Sequence, residues 1–204
     1  MELTIQPLRK KDYADIIQYA IRGMHFNWYM EYKPFLNLYG RYFWYQELSR
    51  ATQIHAAYYG SSFAGVVLLN MKKDPKRHFC TIFERLFVSY FSLMQKIFSR
   101  DGAGVYERAN AEMRENYLSS ENPDGEILFF CANPDLPIRG IGTFLLRELE
   151  RVNPGQEVYL YTDSACTYQF YDHRDFICFD YRDISMKLPE KDVQLRCFLY
   201  RKRL

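Results

Sequence analysis

Residues 127–143 carry the clearest architectural signal in the chain: Ile127-Leu128-Phe129-Phe130-Cys131-Ala132-Asn133-Pro134-Asp135-Leu136-Pro137-Ile138-Arg139-Gly140-Ile141-Gly142-Thr143. The first six residues form a continuous apolar run of the length that predicts a buried strand. Gly140 and Gly142 predict a tight turn into a helix, where the backbone can come close to a ligand. The N–H groups at a helix N-terminus favour an anion, and each favourable charge there contributes roughly 0.3 to 1 kcal/mol. The stretch therefore predicts a strand, a loop suited to a pyrophosphate, and a helix.

The two glycines have other interpretations. A Gly-x-Gly sequence between a strand and a helix is also typical of a tight turn that binds nothing. A Walker loop would end in Gly-Lys-Ser/Thr, which is absent, and a dinucleotide-binding fingerprint would have a third glycine where Leu145 stands. On this motif alone, the pyrophosphate loop and the plain turn both stay open.

The patterns on either side predict a single α/β domain over residues 1–204, in the order β-α-α-β-β-(αα)-β-α-β-α-β-β. The turn residues Gly60-Ser61-Ser62 lie between two apolar runs and predict a β-hairpin. Strands are expected at 3–5, 54–59, 63–71, 127–132, 157–162, 176–186 and 193–200, and helices at about 12–20, 38–50, 142–152 and 166–173.

Residues 73–124 predict a helical hairpin inserted between two strands. Apolar residues recur with helical spacing from Ile82 to Ile97 and again from Tyr106 to Tyr117, and the segment 101–104 predicts the break between the two helices. Charges of both signs are mixed through the segment, which favours a folded insertion over a disordered linker.

Composition excludes several classes of protein. The formal net charge of +2 is too balanced for a nucleic-acid footprint. The N-terminus has no basic region followed by an apolar run, and no run of about 18 apolar residues occurs, so neither secretion nor a membrane span is expected. The 5 cysteines never form Cys-x-x-Cys, which predicts reduced thiols in a cytoplasm. The 4 histidines lack the paired spacing of metal ligands, so no metal is expected.

The 127–143 stretch is similar to the signature motif of the GNAT superfamily of N-acetyltransferases, in which a strand and a proline precede Gln/Arg-x-x-Gly-x-Gly/Ala at the start of a helix. Asn133-Pro134 and Gly140-Ile141-Gly142 match this motif in register. Pro137 departs from it, because it occupies the Gln/Arg position and has no N–H. The resemblance implies the GNAT fold, a mixed and mostly antiparallel sheet with splayed central strands and helices on both faces.

The resemblance also implies a binding site for acetyl-CoA as cosubstrate. The main chain of Cys131, Ala132 and Asn133 would pair with the pantetheine arm. The loop amides that would hold the pyrophosphate are those of Ile138, Arg139, Gly140, Ile141, Gly142 and Thr143.

A second match follows downstream, where the family shows a strand, an Asn, and then Leu/Phe-Tyr-x-x-x-Gly-Phe. Phe170, Tyr171 and Phe176 match this pattern. Ser164 replaces the Asn that commonly touches pantetheine, and Asp175 replaces the Gly. Because Asp is among the few residues tolerated at positive φ, we expect the turn to survive. Together the two motifs imply that the resemblance covers nearly the whole chain apart from the insertion.

For the chemistry, the resemblance implies direct attack of a primary amine on the thioester in a ternary complex. Tyr171 would protonate or hydrogen-bond the leaving thiolate, and the alternative is a packing role in the core. Because the amine attacks in its neutral form, a carboxylate or a water chain must accept its proton. Glu126 is the candidate, at the head of the central strand, and the alternative is a merely solvated strand end. The acceptor, a small molecule or a peptide, is not identified by the sequence.

A non-catalytic acyl-CoA-binding or protein-interaction module on the same fold is the rival interpretation, and Pro137, Ser164 and Asp175 favour it. The insertion bears on the acceptor, because the resemblance places it near the acceptor side of the cleft. Its apolar stripe needs a covering surface. We therefore expect the insertion to wall the amine pocket or to mediate a homodimer, and the alternative is a hairpin packed on its own domain away from the cleft. The stripe comprises Phe83, Phe87, Phe91, Met94 and Phe98.

Overall fold

One sheet of seven strands organises the molecule. The computed structural model describes residues 2–28, 32–77, 79–98, 103–188 and 192–204. The strands are β1 (Leu3–Gln6), β2 (Gln53–Tyr59), β3 (Ser62–Met71), β4 (Gly125–Ala132), β5 (Glu157–Asp163), β6 (Ile177–Lys187) and β7 (Asp192–Arg203). Their order in the sheet is β1-β2-β3-β4-β5-β7-β6, and every neighbouring pair is antiparallel except β4 with β5. The mixed, mostly antiparallel sheet confirms the predicted fold class.

The helices of the described residues are α1 (Tyr13–Gly23), α2 (Lys33–Arg50), α3 (Ile82–Phe98), α4 (Ala103–Ser120), α5 (Ile141–Val152) and α6 (Gln169–Asp172). Helix α2 begins well before the predicted residue 38, because Pro34 lies in its first turn, where the fixed φ of proline suits a helix. Helix α6 is confined to four residues instead of the predicted 166–173. The predicted break at 101–104 is wrong for Ala103 and Gly104, which begin α4. Residues 101 and 102 and the side chain of Phe98 lie outside the described part.

The helices cover the two faces of the sheet unequally. Helices α1 and α2 pack on one face over β2, β3 and β4, and α5 packs on the opposite face. Successive residues of β5 point to opposite faces. Val158 and Leu160 lie in the core beneath α5, whereas Tyr159 and Tyr161 lie beneath α4. Helix α4 therefore shares a face with α1 and α2.

Strand β4 contains one extra residue relative to β3. The pairing steps from Leu69 with Ile127 to Leu68 with Phe129, so Leu128 is the bulged residue. A bulge resets the alternation of side chains between the two faces. Leu128 and Phe129 consequently both contact the core of α1 and α2, while Ile127 contacts the core of α5.

The two central strands separate soon after they meet. Strands β4 and β5 pair only at Gly125 with Val158 and at Glu126 with Tyr159. Beyond these pairs β4 runs on to Ala132 and β5 runs on to Asp163 without pairing to each other. The divergence opens a wedge between the strands, with α5 on one face and α2 and α4 on the other. This is the predicted splay of the central strands.

Helices α3 and α4, which lie between β3 and β4 in the chain, have different packing partners. Helix α3 packs on α2 through Phe87 and Phe91, whose rings contact Tyr45 and Tyr42. Helix α4 packs on β6 and β7. The segment between β3 and β4 thus consists of one helix that packs on α2 and one helix that covers the second half of the sheet.

Candidate active site

The N-terminus of α5 has the geometry of an anion site. Gly140 precedes the helix in the left-handed conformation, with φ 84° and ψ 7°, and no side chain caps the helix. The first intrahelical bond runs from the N–H of Phe144 to the carbonyl of Gly140, at 2.9 Å. The N–H groups of Ile141, Gly142 and Thr143 therefore precede the intrahelical ladder and point out of the helix end.

Arg174 adds a positive charge at the same place. Its Nε and Nη2 atoms donate to Thr143 Oγ1 at 3.2 and 2.9 Å. A cation at a helix N-terminus is opposed by the helix dipole unless an anion also binds there. Arg174 thus strengthens the assignment of this end to an anionic ligand. The sequence patterns did not predict it, although its position three residues after Tyr171 in the second motif was a usable signal.

The two glycines serve different purposes. A Cβ at Gly142 would lie 3.1 Å from the ring of Phe170, whereas a Cβ at Gly140 would meet no atom within 4 Å. Position 142 therefore needs glycine because a side chain would collide with Phe170. Position 140 needs glycine because its backbone is left-handed, although the space around it is open. The ring of Phe170 also meets that of Phe130 edge-on, at 5.6 Å between centroids. Phe170 consequently joins the glycine loop, the central strand and the second motif.

The end of β4 is held by Asn133. Its N–H donates to the carbonyl of Ala64 at 2.7 Å, and its side-chain Nδ2 donates to the carbonyl of Phe63 at 2.8 Å. Cys131 and Ala132 pair with β3 along the other edge of the strand, so their free edge faces the wedge. The predicted pairing with pantetheine can use that edge, while the N–H of Asn133 is already bonded to β3.

The other predicted contact residues, Ile138, Arg139 and Ser164, lie in different surroundings. Ile138 packs partly buried against the core of α5, whereas Arg139 is exposed. Ser164 lies just past β5, where its Oγ accepts a hydrogen bond from the N–H of Arg196 at 3.0 Å. A depression of about 430 Å³ opens beside Ser164, between Tyr168 and the β6–β7 pair. The role of these residues in binding stays a prediction.

Tyr171 is surrounded by aromatic side chains. Its ring contacts those of Phe170, Phe176 and Tyr200. Burial, and to a smaller extent the nearby Cys166 thiol, raise the pKa of Tyr171 above its usual range, so the hydroxyl keeps its proton at neutral pH. Asp175 has φ 60°, which confirms the prediction that an Asp replaces the family's glycine in the left-handed conformation.

Glu126 belongs to a largely buried group of charges. Arg50 donates from Nη2 to Glu126 Oε2 at 2.8 Å and from Nη1 to Glu47 Oε2 at 2.9 Å. Tyr159 donates its hydroxyl to Glu126 at 3.3 Å. Burial raises the pKa of Glu47 to about 7, against the opposing effect of Arg50. Glu126 is thus held by an arginine and a tyrosine, and the sequence patterns missed both Arg50 and Glu47.

The cysteines do not supply a nucleophile in this arrangement. All five are free thiols. Burial raises the pKa of Cys131 to about 12 and that of Cys166 to about 12, so both thiols are uncharged at neutral pH. Among the described residues, no group of three or more His, Cys, Asp and Glu side chains is arranged to hold a metal ion.

Comparison with known proteins places the fold. No family model matches the chain, and no curated protein matches it. Among solved structures, the chain is similar to the PaiA N-acetyltransferase from Thermoplasma acidophilum in complex with coenzyme A, at 15% identity over 100% of both chains, with a TM-score of 0.52. It is also similar to the histone acetyltransferase HPA2 and related acetyltransferase from Corynebacterium glutamicum, at 14% identity over 98% of this chain and 96% of that chain, with a TM-score of 0.54.

A further similarity is to Arabidopsis thaliana NAA60 in complex with a bisubstrate analogue, at 13% identity over 99% of this chain and 98% of that chain, with a TM-score of 0.50. At such identities the likeness concerns the fold. The chain therefore has the GNAT fold, as its two sequence motifs indicate. Within the described ranges, none of the helices has the length and apolar character needed to cross a bilayer.

Proposed function

We propose that this chain is an acyl-CoA-dependent N-acyltransferase that moves an acetyl group from acetyl-CoA to a primary amine. The observation that carries the proposal is the uncapped N-terminus of α5, with Gly140 left-handed and Arg174 at 2.9 Å from Thr143. It lies beside the wedge where β4 and β5 part, since Phe170 contacts both Phe130 and the glycine loop. An anion-binding loop next to a free strand edge suits a cosubstrate with a pyrophosphate and an amide-bearing arm.

In this proposal some residues of the cleft bind the cosubstrate and others transfer protons. The amides of Ile141, Gly142 and Thr143 and the guanidinium of Arg174 bind the pyrophosphate. The free edge of β4 orients the pantetheine arm. Positioning the amine against the thioester replaces a bimolecular encounter, which is worth about 7 to 11 kcal/mol in favourable cases.

The chemistry is one bond exchange with two proton movements. The C–N bond forms between the amine nitrogen and the thioester carbonyl carbon, and the C–S bond breaks. Tyr171 gives its proton to the departing sulfur, and Glu126 takes the proton that the amine nitrogen loses, directly or through water. The Tyr171 proton is replaced from solvent, so that the products are an amide and free CoA. Tyr171 supplies about 10²-fold of the rate in this scheme.

The partners are acetyl-CoA, an amine acceptor and a second copy of the chain. Five apolar side chains of α3 are between 57% and 83% exposed and form what we name the α3 face. Such a patch covers several hundred Å², which is large for a monomer and close to the share of about 800 Å² that each partner contributes to a standard interface. Pairing across a two-fold axis would bury the same uncharged face on both copies. The α3 face comprises Ile82, Phe83, Leu86, Tyr90 and Leu93.

A cytoplasmic location, expected from the reduced thiols, belongs to the same proposal.

A matched pair of glycine variants tests the anion site. Gly140 and Gly155 both have positive φ, at 84° and 74°, and both have open space where a Cβ would lie. Gly140→Glu and Gly155→Glu therefore impose similar backbone strain, but only the first puts a carboxylate at the N-terminus of α5. We expect acetyl-CoA to raise the Tm of the wild type and of Gly155→Glu, and to leave that of Gly140→Glu unchanged. Equal binding by both variants would remove the glycine loop from the site.

Thiol release separates the enzyme from its rival. Wild-type protein is incubated with acetyl-CoA and a panel of monoamines, polyamines, amino acids and peptides, and free CoA is measured. The proposed enzyme releases CoA in proportion to acetylated amine. Binding of acetyl-CoA without amine-dependent release across the whole panel would instead support a non-catalytic acyl-CoA-binding module.

A further inference from the structure

Helix α4 and strand β5 are matched residue by residue across their contact. The side chains of β5 that face α4 are Glu157, Tyr159, Tyr161 and Asp163. Tyr117 donates its hydroxyl to Glu157 at 2.7 Å, Arg114 hydrogen-bonds the hydroxyl of Tyr159, and Tyr106 donates its hydroxyl to Asp163 at 3.0 Å. The helix therefore runs antiparallel to the strand, with a polar partner for three of these four residues.

The register leaves Tyr161 at the level of Asn110. One helical turn rises about 5.4 Å, which is close to the roughly 6.6 Å that two strand residues span. Each turn of α4 therefore matches two residues of β5. Arg114 lies beside Tyr159 in this register, and Asn110, one turn further along, lies beside Tyr161. In the described part of the chain, Tyr161 Oη and Asn110 Oδ1 are both buried and both lack a hydrogen-bond partner. They consequently do not bond to each other. An unsatisfied buried polar group costs about 1 to 3 kcal/mol, which favours a ligand that both atoms can bind.

Tyr161 faces the charged group of the candidate active site. Burial raises the pKa of its hydroxyl above the usual range, and Tyr159, Glu126, Arg114 and Arg50 are the groups whose charges also act on it. Tyr161 lies two residues beyond Tyr159, where β5 has already parted from β4. Its side chain is on the face of α2 and α4, across the wedge from α5 and the glycine loop. An acceptor bound here would approach the wedge from the side opposite the anion site.

We propose that Asn110 Oδ1 and Tyr161 Oη form the subsite that binds the amino group of the acceptor, an inference that rests on the proposed function. A primary amine has at least two N–H donors, and the carbonyl oxygen of Asn110 is an acceptor only, while the tyrosine oxygen can accept as well. Asn110 belongs to the insertion, so the insertion itself recognises the acceptor.

The charges around the subsite narrow the class of acceptor. Glu126 is paired with Arg50, and Arg114 lies one turn from Asn110 on the same side of α4. Glu47 and Glu126 compensate the charge of Arg50, whereas Arg114 bonds to the neutral hydroxyl of Tyr159 and repels a second positive charge on the acceptor. The preferred substrate class is therefore a monoamine, and a polyamine binds more weakly.

The test uses full-length variants of the two unsatisfied residues. Asn110→Leu and Tyr161→Phe remove the polar atoms at nearly constant shape, and Asn110→Asp keeps the accepting oxygen. Tyr106→Phe is the control, because it removes a hydroxyl on the same helix that is already bonded to Asp163. The probes are n-butylamine, benzylamine and spermidine, added to the CoA-bound protein for thermal shift and to the acetyl-CoA reaction for KM.

We expect the two monoamines to raise the Tm of CoA-bound wild type and Asn110→Asp, and to have little effect on Asn110→Leu or Tyr161→Phe. The KM for amine rises about tenfold or more in these last two variants, at unchanged affinity for acetyl-CoA. Without ligand, neither variant has a lower Tm than the wild type, since each removes an unsatisfied group, whereas Tyr106→Phe has a lower Tm because Asp163 loses its donor.

Three results would overturn the subsite. The first is equal amine binding by wild type and Asn110→Leu, and the second is stronger binding of spermidine than of the monoamines. The third is a lower Tm of both ligand-free Asn110→Leu and ligand-free Tyr161→Phe, by more than in Tyr106→Phe, which would indicate a structural buried water between these atoms. Amine binding by CoA-bound wild type without any thiol release would leave the subsite intact and overturn the proposed transferase function instead.

Discussion

Helices α3 and α4 both lie between β3 and β4 in the chain, yet they pack differently on the rest of the molecule. In α3, Phe83 is 83% exposed and only one edge of the apolar surface contacts α2. In α4, Met113 and Tyr117 are both 0% exposed beneath the sheet. The helix with the broader apolar surface is therefore the less buried one.

Polar complementarity explains the difference. Helix α4 presents Tyr106, Arg114 and Tyr117 to a row of polar side chains on β5, and each finds a partner. Strand β5 buries Glu157 and Asp163, whose carboxylates need such donors. The exposed side of α3 carries the five apolar residues of the α3 face, so it fits a second apolar surface. Helical periodicity indicates that a helix has a buried face, but the partner is selected by the chemistry of the opposing surface.

The largest expected effect contrasts the apolar residues of the two helices. Met113→Ala in α4 opens a cavity beneath the sheet and should lower the free energy of unfolding by about 2 to 5 kcal/mol. Phe83→Ala in α3 should change it by no more than about 0.5 kcal/mol. Urea denaturation at low protein concentration measures both. Equal losses would mean that α3 is as integral to the monomer as α4.

The next effect concerns the side of α2 that faces away from α3, where Glu47 meets Arg50. The pKa of Glu47 rises from 4.5 unfolded to about 7 folded, so between these pH values the unfolded chain loses a proton that the folded chain keeps. The stabilising contribution is therefore full below pH 4.5 and is lost as the pH rises towards 7, by roughly 3 kcal/mol. We expect Glu47→Gln to flatten this decline.

The measurement is the free energy of unfolding from urea titrations at several pH values. Glu115→Gln serves as the control, because Glu115 is an exposed carboxylate of α4. A decline that persists unchanged in Glu47→Gln would show that another group causes it.

A third variant tests the α3 face itself. Leu86→Glu places a charge in the middle of the proposed dimer interface and should weaken self-association at least about tenfold. Ala111→Glu, at an exposed position of α4 outside the α3 face, is the matched control. Light scattering should give about twice 24.5 kDa for the wild type and for the control, and a single chain for Leu86→Glu. A monomeric wild type that binds anionic lipid vesicles through Leu86 would contradict the dimer and indicate a membrane surface instead.

The smallest effect compares two tyrosines. Tyr117→Phe in α4 removes the donor to Glu157 and should lower the free energy of unfolding by about 1 kcal/mol. Tyr90→Phe in α3, at a residue that is 64% exposed, should change it by less than about 0.5 kcal/mol. Equal losses of unfolding free energy in the two variants would show that the polar contacts do not explain why α4, and not α3, packs on the sheet.

Several features of the candidate site could be predicted because they depend on neighbours in the chain. The left-handed Gly140, the helix that starts at Ile141 and the positive φ of Asp175 all follow from local turn chemistry. The order of strands and helices follows in the same way from the spacing of apolar residues. The sequence alone therefore determined the conformation of the glycine loop and the class of fold.

The tertiary structure decided the features that join distant residues. Arg174 reaches Thr143 across 31 positions, and Arg50 reaches Glu126 across 76. The bulge at Leu128 sets which side chains of β4 face each core, although the apolar run itself contains no sign of it. These contacts, like the choice of partner for α3 and α4, arise only when the sheet brings the surfaces together, because packing and charge pairing depend on separation in space and not on distance along the chain.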